Sequence, residues 1–68
     1  MKVKVCYFNT AEVEVDDKFA DAIPAWKRGD YDTFEALTDE LHQFLTLTTK
    51  IPGVICSVDD ENGDVIYE

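Results

Sequence analysis

The stretch Asp32–Thr49, DTFEALTDELHQFLTLTT, constrains this chain more than any other. Phe34, Leu37, Leu41, Phe44 and Leu45, with Thr48 beyond them, recur at spacings of three and four, so they form one apolar stripe along a helix. Asp32 stands just before the stripe and Glu35 follows three residues on, the spacing of a reciprocal cap for the first N–H groups. Thr38, Asp39, Glu40, His42 and Gln43 fall on or near the polar side. A lone amphipathic helix of this length is marginal in water. Its stripe must be covered, and the two flanks of the chain carry the patterns to cover it.

The first flank opens with KVKVCYF, Lys2–Phe8, in which Val3, Val5 and Tyr7 alternate with Lys2, Lys4, Cys6 and Phe8. Asn9-Thr10 supplies a turn, and Ala11–Val15 alternates again, with Glu12 and Glu14 on one face. Lys2 and Lys4 then meet Glu14 and Glu12 across the pair, which contributes a few tenths of a kcal/mol and helps set the register. The second flank starts after Lys50-Ile51-Pro52-Gly53, where proline and glycine break the helix. Val54–Val58 predicts a strand, Asp59–Asp64 a loop, and Val65–Tyr67 the return strand. Asn62-Gly63 between apolar runs is the strongest short hairpin signal.

These elements predict an α+β fold. Two β-hairpins flank one main amphipathic helix in the order β-β-(short α)-α-β-β, and a four-stranded antiparallel sheet of order 2-1-3-4 carries the helix on one face. Alternation assigns Val3, Val5, Tyr7, Val13, Val15, Val54, Cys56, Val58, Val65 and Tyr67 to the helix side. It sends Cys6, Phe8, Ile55 and Ile66 to the other face, where nothing obvious covers them. An apolar strip there predicts a partner surface or a homodimer interface. The alternative is that Asp16–Tyr31 folds underneath and covers it with Trp26. Cys6 and Cys56 fall on opposite faces, so no internal disulfide is expected.

Asp16–Tyr31, DDKFADAIPAWKRGDY, is the least regular segment. Asp16 or Asp17 is placed to cap a short helix through Phe19, Ala20, Ala22 and Ile23, which Pro24 is expected to end or kink. Gly29 suits a left-handed stop, with Lys27 and Arg28 at the negative end of the turn before it. Gly29-Asp30-Tyr31-Asp32 resembles the interhelical turn of tetratricopeptide repeats. It occurs once and without a repeat period, so it is local turn chemistry. Trp26, Arg28 and Tyr31 form the one mixed aromatic and basic cluster, of the residue types that dominate binding hot spots.

Sixty-eight residues allow one small domain, with a stability on the order of 3–5 kcal/mol. Fifteen Asp and Glu oppose six Lys and Arg, for a formal charge of −9. That balance disfavours direct binding to nucleic acid and to anionic membranes. It favours a basic protein partner or simply solubility, the ordinary use of such charge in small bacterial proteins. The alternating opening run has no apolar leader segment, and no run reaches the roughly 18 residues of a membrane span, so a cytoplasmic location is expected.

Sites of chemistry are sparse. His42 is the single histidine, with Asp39 one turn before it, a weak nucleus for acid–base work. Asp60, Asn62 and Asp64 match the first positions of a calcium-binding loop, but Val65 stands where that loop needs glycine. No cofactor or metal site follows. The chain therefore reads as a non-enzymatic protein-binding module, with Cys6, Phe8, Ile55 and Ile66, or Trp26, Arg28 and Tyr31, as its contacts. One alternative is an acidic mimic of nucleic acid, presenting Asp16, Asp17, Asp30, Asp32, Asp39 and Glu40 to a DNA- or RNA-binding protein. The other is a small enzyme centred on His42 and Asp39.

Overall fold

The computed structural model describes residues 1–68. β1 (Lys2–Cys6) and β2 (Thr10–Glu14) make the first hairpin, with Lys2 opposite Glu14 and Lys4 opposite Glu12, the expected charge register. The side-chain oxygen of Asn9 accepts the Thr10 N–H at 2.9 Å and shapes the turn. β3 (Ser57–Asp59) pairs antiparallel with β1, and β4 (Val65–Tyr67) with β3, so the sheet order is β2-β1-β3-β4, as predicted. The second hairpin turns at Gly63, whose φ of 85° favours glycine, and the Asp60 carboxylate accepts the N–H groups of Asn62 and Asp64, both at 2.9 Å.

Two strands depart from the expected pattern. β3 starts at Ser57 rather than Val54. Cys6 pairs with Ser57, so the residues before Ser57 would have to pair with Tyr7–Asn9, where β1 has already turned. One bond from the Cys56 N–H to the Cys6 carbonyl, 2.7 Å, extends the pairing, and Val54 is 85% exposed. In β4 a bulge sets Val58 opposite Tyr67 but Asp59 opposite Val65, leaving Ile66 as the extra residue. Ile66 therefore turns into the core, 3% exposed, and Val65 turns outward. Strict alternation had placed both the other way.

The segment after β2 begins with a cap: the Asp16 carboxylate accepts the Lys18 N–H at 2.8 Å and opens a short 3-10 turn, Asp17–Asp21. α1 (Ala22–Lys27) follows directly. Pro24 does not end this helix. It sits in the first turn, where the N–H has no intrahelical partner to lose. Gly29, at φ 79°, stops α1 as predicted, and the Asp30 N–H returns to the Ala25 carbonyl at 2.9 Å.

α2 (Tyr31–Gln43) continues through a wider π turn, Phe44–Thr48, into one helix of 18 residues. It starts two residues earlier than a cap at Asp32 implies, so Asp30 and not Asp32 is the cap, accepting the Thr33 N–H at 3.3 Å. Asp32 then lies in the first turn, where a carboxylate suits the positive helix end. The exit is made by Lys50 in the left-handed region, φ 59°, with the Ile51 N–H reaching back to the Leu45 carbonyl at 3.1 Å.

Leu41 and Leu45 on α2 are fully buried against Val3, Val5 and Val58 of the sheet. Phe19 and Ala22 belong to the same core, so Asp16–Tyr31 packs on the helix side of the sheet and not beneath it. Thr38 is buried rather than on the polar side, and its hydroxyl donates to the Phe34 carbonyl at 2.9 Å. A Lys18–Glu40 ion pair ties the 3-10 turn to α2. The opposite sheet face presents exposed Lys2, Lys4, Glu12 and Glu14 and is solvated rather than apolar.

Candidate protein-binding groove

Helical spacing and one tight turn build the most distinctive surface. Ile23 and Trp26 are three apart on α1, and Tyr31 and Phe34 are three apart on α2, so each helix presents a pair on one side. The Gly29 reversal brings the pairs together. The Trp26 ring lies 5.0 Å from both the Tyr31 and Phe34 rings, tilted by 57° and 53°. Ile23, Trp26 and Phe34 then face the end of β4, and with Val65, Ile66, Tyr67 and Glu68 they enclose a groove of about 340 Å³. Trp26 and Tyr31 each remain 55% exposed.

The polar surroundings are well defined. Arg28 is engaged with the Asp30 carboxylate at 3.3 Å, so it is not a free cation beside the groove. Hydrogen bonds from Thr33, helped by Arg28, hold the Asp30 carboxyl below the usual carboxylate range. Tyr67 shares a hydrogen bond of 3.0 Å with Nδ1 of His42, and burial pushes its phenol up to about 12. The partner of His42 is thus Tyr67 on β4, not Asp39 on its own helix.

The structure brings Trp26 and Tyr31 together, turns Arg28 to Asp30, and disperses the other predicted set. Ile66 is core, and Ile55 packs partly buried against the core. Phe8 is 78% exposed at the end of the sheet, edge-on to Tyr7 at 4.9 Å and against Gly53. Cys6 is half-buried, and both cysteines are free. Phe34, Ile23, Val65 and Tyr67 belong to the groove without having been singled out as contacts. The paired spacing on either side of Gly29 is the sequence signal that could have found the first two.

Of the six carboxylates considered as a nucleic-acid mimic, four have internal partners: Asp16 and Asp30 as caps, Glu40 with Lys18, and Asp17 with the Met1 amino group at 2.6 Å. A second hollow, about 460 Å³, lies on the solvated side and is lined by Lys2, Lys4, Glu12, Asp59, Asp60 and Glu61 among others. One Asp59 oxygen is buried there without a partner. No group of three His, Cys, Asp or Glu side chains is arranged to hold a metal ion, and no helix is long and apolar enough to cross a membrane. Comparison with known families, characterised proteins and solved structures finds no match to this chain.

Proposed function

We propose that this protein is a non-enzymatic protein-interaction module that binds its partner in the groove between α1, α2 and β4. The observation that carries this reading is the exposure of Trp26 in the wall of an apolar groove, with the equally exposed Tyr31 stacked against its ring. Trp and Tyr supply large contact area at small entropic cost and are the usual anchors of an interface. The hydrophilic sheet face and the polar side of α2 offer no comparable anchor. A small-molecule site is less well supported, because the groove is open and its one half-buried polar side chain, the Tyr67 hydroxyl, is already paired with His42.

Selection of random displayed peptides against the folded protein tests the reading, with Trp26 as the only tryptophan and hence its own fluorescent reporter. Binders are expected to shift Trp26 emission and to lose affinity for Trp26→Ala, whose far-UV circular dichroism stays native. Binders that ignore Trp26→Ala place the interaction elsewhere and refute the proposal.

A further inference from the structure

We infer that the occupant of the groove is an extended basic segment of another protein, added to β4 as a fifth strand with one aliphatic or aromatic side chain seated against Trp26. This rests on the groove being the binding site, and goes further by naming the occupant. β4 is an edge strand, so its outer backbone groups have no strand partner. The other edge, β2, carries Glu12 and Glu14 within the strand. β4 is short and bulged against β3, but unlike β2 it carries no charge between Val65 and Tyr67, and it forms one wall of the groove. Backbone pairing and an apolar pocket for alternate side chains thus lie side by side, the two requirements of strand addition.

The charges choose the occupant. Exposed Asp64 and Glu68 bracket the uncharged stretch, so a strand laid along it meets a carboxylate at each end. Lysine or arginine opposite each completes the same cross-strand pairs that Lys2 and Lys4 make with Glu14 and Glu12 within this chain. A second copy fits poorly. Antiparallel pairing of β4 with itself about Ile66 sets Asp64 against Glu68 of the partner copy, and each copy carries a net −9.

The displayed peptides that require Trp26 decide the matter. They are expected to carry Lys or Arg on both sides of a Leu, Ile, Val or Phe. Affinity should fall by about tenfold on going from low to high salt and again with the Asp64→Asn/Glu68→Gln double variant. Because the Asp60 side chain builds the turn, Asp64→Asn leaves the hairpin intact. N-methylation of a single central amide of the peptide should abolish binding. Three results overturn the inference: binders without net positive charge, binders that tolerate N-methylation at every amide, or a self-association of the protein that Trp26→Ala dissolves. Each leaves the groove as a binding site. Binders indifferent to Trp26→Ala instead remove the reading on which the inference rests.

Discussion

Ile66 and Phe8 look alike in the sequence, two apolar residues at outward positions of alternating strands, and the structure assigns them opposite worth. Ile66 is 3% exposed within the core, whereas Phe8 is 78% exposed. Truncating Ile66 to alanine removes buried methylene and methyl groups and leaves a cavity, a change that costs about 3 kcal/mol. For Phe8→Ala the arithmetic differs: roughly a fifth of the side chain is covered, which is about 0.6 kcal/mol of burial, and its edge contact with Tyr7 brings the total to about 1. The first change should lower Tm by roughly 12–24 °C and the second by a third of that. Urea unfolding followed by circular dichroism reads the difference as a change in midpoint at constant slope. Should Ile66→Ala be unfolded in water, Ile66→Val, at about 1 kcal/mol, keeps the position measurable. A Phe8→Ala variant as destabilised as Ile66→Ala would refute the bulge in β4 and the core built on it.

Further outcomes follow from single positions. Lys50 holds a left-handed conformation at the helix exit, so Lys50→Gly should stabilise by about 0.5–1 kcal/mol after allowing for the lost charge at the helix end, while Lys50→Ala should not stabilise; equal gains would rule out the backbone explanation. Asp30 is held below its ordinary 3.8, so its contribution is present above that pH and disappears as pH falls through the lower folded value; Asp30→Ala should be less stable at neutral pH and show a shallower acid unfolding profile. The Tyr67 phenol is pushed from 10.0 to about 12, so the stability linked to its proton is complete below pH 10.0 and lost as pH rises through 12. Ultraviolet titration of the folded protein should contain a late phenolate phase that Tyr67→Phe deletes, and persistence of that phase in the variant would reassign it.

The sheet was readable because its signals agree. Lys2 and Lys4 against Glu14 and Glu12 define one register, Asn62-Gly63 defines the second hairpin, and the stripe through Leu41 and Leu45 defines what covers them. Local errors arose where two residues could play one part. Asp30 and Asp32 both suit a cap, and only the true start at Tyr31 separates them. The bulge at Ile66 has no glycine or other mark, and one inserted residue moves Val65 and Ile66 to exchanged faces. The groove lay furthest from view. Trp26, Arg28 and Tyr31 were visible as a cluster, but its apolar floor depends on α1 packing on the helix side beside β4, a tertiary choice that no local pattern fixes.

That choice has an energetic consequence. A chain of 68 residues has little core to spare, yet its largest side chain stays 55% exposed. Covering Trp26, Tyr31 and Val65 removes apolar surface from water only when a partner is present. Binding must then raise the stability of the folded state, by about 2.7 kcal/mol at a hundredfold excess over Kd, in proportion to how much the folded and not the unfolded chain binds. In a domain of this size that is a rise in Tm of more than about 10 °C. The same peptide at the same concentration should leave Trp26→Ala unmoved, although the variant itself, losing a half-exposed side chain, keeps most of its own stability. A peptide that stabilises both proteins equally acts outside the groove, and one that binds without shifting either Tm binds the unfolded chain as well. The acidic surface alone produces neither pattern, since salt would erase a purely electrostatic gain while leaving the part that comes from burying Trp26.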